Sequence, residues 1–188
     1  MKFLKLTIAS LLTSSALFAG TYNIDVSHSN VGFTVKHMMI TNVSGKFNDV
    51  AGTFEYDEKT NTLTSLSGEI IVASINTANE KRDTHLKADD IFDAEKFPKI
   101  EFKTTKIEDN TVYGDFTMKG VTKNIKLELE NGGVITDPKG NLRAGFELTG
   151  KISRKDFGIT WNKILETGGV TVGDEVKLQI AMEGILAK

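Results

Sequence analysis

Cysteine is absent from the 188-residue chain, and that absence closes several routes at once. Without thiols there is no disulfide framework, no thiolate metal site and no cysteine to carry a lipid anchor. Proline occurs only twice, and no repeat, linker or low-complexity segment interrupts the chain, so one domain suffices. Histidine is scarce: His28, His37 and His85 form no i, i+4 pair, and no H-x-E or C-x-x-C element accompanies them, so a metal site is unsupported. There is no block of basic residues, with 23 Lys and Arg against 25 Asp and Glu, which argues against nucleic acid as a partner. Long apolar runs are missing everywhere except the N-terminus.

That exception is informative. Lys2 and Lys5 precede a mostly apolar stretch from Leu6 to Phe18, which ends at Ala19-Gly20. The pattern is that of a secretory signal peptide over residues 1–19, cut within a residue or two of Ala19. A retained anchor needs ~20 apolar residues, and this run is shorter and rich in serine and threonine. Removing Lys2 and Lys5 leaves 21 cationic against 25 acidic residues, a net charge of −4 on residues 20–188. An exported domain without disulfides must be held by its own core.

The rest reads as strands. Tyr22, Ile24 and Val26 alternate with polar residues, and Val31, Phe33 and Val35 resume the period of two. Val43 to Tyr56 predicts one long strand, bent where the spacing shifts at Asn48-Asp49. Leu63 to Ile75 predicts the next. Hairpin-spaced strands then follow Pro98, and alternation closes the chain from Val176 to Leu186. One segment breaks the pattern: Thr77 followed by Glu80 reads as a capping box opening a helix over about 78–88. The expectation is all-β, an extended antiparallel barrel of about eight strands with one helical insertion. Inward positions alternate bulky Phe with Gly or Ala, and small inward residues favour a ligand cavity over a filled interior.

Candidate sites follow from these faces. Asp25, His28 and Ser29 include the residue types of a hydrolytic triad, but they crowd one strand end, where a side-chain-bonded turn explains them better. No catalytic residue is assigned. Asp89-Asp90 reads as solvated. Phe33, Phe47, Phe54, Phe102, Phe116 and Phe146 all fall on faces that a barrel turns inward, as either a packed core or the wall of an apolar cavity.

The order of motifs carries a resemblance. D-x-x-H-S at Asp25–Ser29 precedes V-x-F-x-V-x-H at Val31–His37, G-x-F at Gly45–Phe47 and I-N-T at Ile75–Thr77. R-D-x-H-L at Arg82–Leu86, F-D-A-x-K-F-P at Phe92–Pro98, G-x-F-T-x-K-G-V-T-K at Gly114–Lys123 and R-x-D-F-G at Arg154–Gly158 complete it. The chain resembles the YceI family of exported, lipocalin-like bacterial proteins. The resemblance implies a periplasmic, non-enzymatic binding protein whose barrel holds a polyisoprenoid, an isoprenoid quinone or another fatty amphiphile. On the carrier reading the six phenylalanines line the cavity, Leu86, Ile91 and Phe92 cover one end, and Arg82, His85 or Arg154 fixes a polar head, with a structural Arg82–Asp83 ion pair as the alternative use of Arg82. The resemblance implies no cofactor or metal, a lipid as partner, no transmembrane span in the mature protein, and homodimers in some members. Where the family has G-D-L-T, Phe116 adds bulk, which implies a shorter or bent cavity. Two other readings stay open: an envelope interaction protein with a filled barrel, and an enzyme using His85 as base beside Asp83.

Overall fold

The computed structural model describes residues 19–166 and 168–188. The predicted signal peptide therefore lies outside the described residues, apart from Ala19. Among the described residues eleven strands form one antiparallel sheet: β1 (Ala19–Ile24), β2 (Asn30–His37), β3 (Thr41–Phe47), β4 (Val50–Asp57), β5 (Thr62–Ile71), β6 (Ile75–Asn76), β7 (Lys99–Glu108), β8 (Thr111–Met118), β9 (Val121–Thr136), β10 (Leu142–Ser153) and β11 (Val172–Leu186). β11 pairs with β10 on one side and with both β1 and β2 on the other, which closes the barrel. The first three staves are each broken once. β1 and β2 run end to end, β3 and β4 lie beside them, and β5 and β6 lie beside those. Counted by stave this is the eight-stranded lipocalin-like barrel that the alternation predicts.

Local chemistry sets the breaks. Asp25 accepts from the Ser27 N–H (3.1 Å) and hydroxyl (2.8 Å), winding Val26–His28 into a 3-10 turn between β1 and β2. The predicted bent strand is the β3–β4 stave, interrupted at Asn48-Asp49. The strand expected from Leu63 to Ile75 stops at Ile71 instead. Ser74 donates to the Ile71 carbonyl (2.7 Å) and accepts from the Asp49 N–H (3.0 Å), so Val72–Ser74 coil into a second 3-10 turn before β6. These side chains offer backbone groups a partner outside the ladder.

The helix α1 (Glu80–Leu86) is shorter than the predicted 78–88. Its N-cap is Asn79, whose Oδ1 accepts from the Arg82 N–H at 3.0 Å, and not Thr77. Ala78 sits at φ 56°, a left-handed conformation that ends the helix geometry there, and the Thr77 hydroxyl is engaged elsewhere. Beyond α1, residues 88–97 fold as successive turns. The β8–β9 hairpin fastens them: Lys119 Nζ donates to the carbonyls of Asp89 (2.9 Å) and Ile91 (2.6 Å). Gly120 is required beneath them, because a Cβ there would stand 2.7 Å from the Phe97 ring. Two of the sequence motifs thus meet at one end of the barrel and hold the cap. Among the described residues no helix is long and apolar enough to cross a membrane.

The interior is not uniform. In one half Tyr22, Phe54, Tyr56, Leu63 and Val112 are buried to 1 % exposure or less. Phe54 stacks on Tyr22 (5.3 Å between centroids) and meets Phe146 edge-on (5.0 Å). In the other half the inward residues Val176, Leu178 and Ile180 of β11, and Phe33 and Val35 of β2, stay partly accessible although they face inside. Among the inward glycines Gly68 stands open on the cavity wall, and three others do not. Phe33 covers Gly45, Phe102 covers Gly114 and Phe54 covers Gly184, each ring lying where a Cβ would have to stand. The expectation that small inward residues leave room holds at Gly68 and fails at Gly45, Gly114 and Gly184, where a neighbouring ring fills the gap.

Candidate functional site

The accessible half encloses a cavity of about 350 Å³, within the range of small-ligand pockets. β2 contributes Val31, Phe33 and Val35; β7 contributes Ile100 and Phe102; β8 contributes Phe116 and Met118; β11 contributes Val176, Leu178 and Ile180. α1 and the turns after it bring Leu86, Ile91 and Phe92 over the same space, together with Arg82 and His85. The Phe47 ring stands between wall and cap, 5.7 Å from Phe33 and edge-on to Phe92 at 6.2 Å. The wall is almost wholly hydrocarbon, so an apolar chain is the guest that loses least by entering it.

The six phenylalanines divide. Phe33, Phe47, Phe102 and Phe116 line the cavity. Phe54 and Phe146 do not: they belong to the packed half, pressed against each other and Tyr22. Phe116 is braced edge-on by Phe157 at 5.3 Å, which places a 3-10 turn, Arg154–Phe157, behind the cavity wall.

The polar residues at the rim are mostly occupied. Arg154 is 6 % exposed and donates to the carbonyls of Gly173 (3.0 Å), Ile159 (2.9 Å) and Trp161 (2.8 Å) and to Asp174 (3.2 Å). It clamps the excursion between β10 and β11, and Gly158 at φ 74° closes the turn beside it. R-x-D-F-G is therefore a structural unit: clamp, ring brace and left-handed glycine. Arg82 donates through Nε to the Thr77 hydroxyl (2.7 Å) and through Nη2 to the Thr77 carbonyl (2.8 Å). Thr77 in turn donates to Asp83 from its N–H (2.9 Å) and hydroxyl. The expected direct Arg82–Asp83 pair is thus a relay through buried Thr77. No carboxylate among the described residues stands within ion-pair distance of Arg82, which faces the cavity. His85 does not meet Asp83; its Nε2 lies 3.2 Å from Asp90, and its ring packs edge-on against Trp161 at 4.9 Å. Asp90, read as merely solvated, has this partner. A base activated by Asp83 is excluded by that geometry.

The D-x-x-H-S motif lies apart from the cavity. His28 Nδ1 is 2.9 Å from Asp25, and Ser29 exchanges hydrogen bonds with the Glu183 backbone (3.2 and 3.1 Å), so serine and histidine diverge. Asp25, His28 and Glu183 converge closely enough to suggest a cation, but the cation is already there: Arg143 donates to Asp25 (2.8 Å), Asp137 (2.9 Å) and Glu183. The guanidinium holds the carboxyls of Asp25 and Asp137 well below the usual range, and they raise Arg143 in return.

Sequence reasoning missed Trp161, Ile70 and the inner residues of β11 as cavity wall. The alternation placed β11 correctly on an inner face, but nothing in it distinguishes filled from hollow layers.

Known proteins share this architecture. The YceI-like domain matches residues 22–184. The UPF0312 protein SA2479 of Staphylococcus aureus is 39 % identical over 163 residues, covering 86 % of this chain and 95 % of its own. The crystal structure of the Campylobacter jejuni YCEI protein superposes with a TM-score of 0.71 at 34 % identity, covering 81 % of this chain and 90 % of that one. A polyisoprenoid binding domain from Saccharophagus degradans has the same fold at 13 % identity, with a TM-score of 0.67 over 88 % of this chain and 98 % of that one.

Proposed function

The chain belongs to the YceI-like family, and from that premise we propose that it is an exported carrier holding a long-chain amphiphile in its barrel. The guest is of the polyisoprenoid, isoprenoid-quinone or fatty class. The observation that carries the reading is the hydrocarbon-lined half of the barrel under the α1 cap. The described function of the Saccharophagus domain, polyisoprenoid binding, points the same way. Export is supported by the signal-peptide pattern of residues 1–19.

The energetics suit a carrier. A space of 350 Å³ takes about a dozen groups of water size, at ~30 Å³ each. At ~0.8 kcal/mol per buried CH₂ such a chain gains roughly 9 kcal/mol before the cost of association. One methylene more or less changes little, so the tail is selected weakly and the head must supply discrimination. All three head-group candidates line the cavity; Arg154 has its donors committed to carbonyls and Asp174, while Arg82 and His85 stand beside α1. Arg82 and His85 are the better pair for an oxygen-bearing head.

The test is native mass spectrometry of the protein as isolated from its own cells, with organic extraction of what it carries. A stoichiometric prenyl or quinone adduct supports a selective carrier, and a mixture of fatty chains supports a promiscuous one. A protein with no adduct that also takes up no added long-chain lipid would refute the reading.

A further inference from the structure

Six large apolar residues are exposed among the described residues, and four of them stand together: Met38, Met39, Ile40 and Ile164. Ile40 and Ile164 are 81 % and 87 % exposed; a singly exposed apolar residue is ordinary, whereas a contiguous group of them marks a contact surface. They belong to two adjacent tips. The β2–β3 hairpin carries the first three, and the excursion before β11 carries the fourth. The Met38 N–H donates to the Thr171 carbonyl (2.8 Å), His37 stands opposite Val172, and Ile164 bridges Val170. The two tips thus project side by side.

Three further observations bear on what they meet. The hairpin carries backbone strain: Met38 and Met39 lie at φ 49° and 60°, in a turn closed by the Ile40 N–H to the His37 carbonyl (3.1 Å). Asn-Gly occupies such a turn at little cost, and two methionines do not. The tips are also continuous with the cavity, since Lys36, His37, Trp161 and Thr171 line it and the apolar cluster begins one residue beyond His37. Finally, the flanking charges are mainly cationic: Lys36 and Lys163 are exposed, and Glu166 is the sole acid within residues 36–42 and 160–166.

We propose that the Met38-Met39-Ile40 tip, with Ile164 beside it, is a docking surface for the face of a lipid bilayer, seating the cavity rim at the membrane. Exposed flexible and branched apolar side chains insert among the acyl chains, and the lysines beside them meet anionic headgroups. The role of the contact in cargo exchange rests on the carrier reading; the contact itself does not. None of the three hairpin residues lines the cavity, so docking and cargo separate experimentally.

The experiment is flotation with extruded vesicles of phosphatidylethanolamine and phosphatidylglycerol. It uses the full chain as isolated from cells, with N-terminal processing matched by intact mass. Wild type is expected to float, and M38S/M39S/I40S to partition at least tenfold less while extracting with the same lipid load. A second variant, M38N/M39G, is expected to melt higher than wild type because the turn strain is relieved, and still to partition less. A wild type that stays with the soluble fraction overturns the proposal, as does a triple variant that floats equally well. A wild type that floats without extractable lipid supports the docking surface and counts against the carrier reading.

Discussion

Phe54 and Phe102 read alike in the sequence, and the structure assigns them opposite energetics. Phe54 is 1 % exposed, stacked on Tyr22, edge-on to Phe146 and seated over Gly184. Truncation to alanine removes those contacts in a layer that cannot collapse, at a cost of about 3–5 kcal/mol. Phe102 is only partly buried and faces the cavity, so Phe102→Ala enlarges a space that already exists, costing roughly 1–2 kcal/mol. For a domain of this size each kcal/mol lowers Tm by about 2–4 °C, giving roughly 6–20 °C for Phe54→Ala against roughly 2–8 °C for Phe102→Ala. The assay is thermal unfolding followed by circular dichroism on delipidated protein, because bound cargo would add its own stabilisation. The lipid load, extracted from undelipidated protein, should move the other way: reduced in Phe102→Ala and kept in folded Phe54→Ala. Equal melting losses, or a larger loss at Phe102, would refute the division of the barrel into filled and hollow halves.

Three other outcomes follow from the same geometry. Phe102→Asp sets an unpaired carboxylate against the cavity wall, and copurifying lipid should fall by about 100-fold or more while the barrel still folds; an unchanged load on extraction would remove Phe102 from the site. Asp25 and Asp137 are depressed by Arg143, so their stabilisation is fully present above the usual carboxylate range near pH 4 and is lost as pH falls below it. Urea midpoints should therefore drop on acidification in wild type, and Arg143→Met should flatten that acid limb; parallel pH profiles would contradict the assignment. Arg154→Met strands the carbonyls of Ile159, Trp161 and Gly173 and should destabilise by about 1–3 kcal/mol for each one left unpaired. Limited proteolysis should then cut within residues 159–171, with Arg154→Lys only partly protective because an ammonium cannot reach all these acceptors.

Much of the molecule was legible in its sequence for a plain reason: a strand exposes its two faces alternately, so period-two patterns, turn residues and one break in the pattern define staves, hairpins and an insertion. Ordered motifs pointed to the family in the same local way. What periodicity specifies is a face, and a face has no neighbours until the barrel closes. Only closure set Phe54 against Tyr22 and Phe146 in a filled layer while leaving Phe33 and Phe102 beside empty space. Closure also laid rings over Gly45, Gly114 and Gly184 while leaving Gly68 open on the cavity wall, carried Thr77 away from the helix cap into the Arg82–Asp83 relay, and committed the donors of Arg154 to a clamp. Those outcomes depend on residues that arrive from distant strands, and on buried donors that take whichever acceptors the fold brings to them.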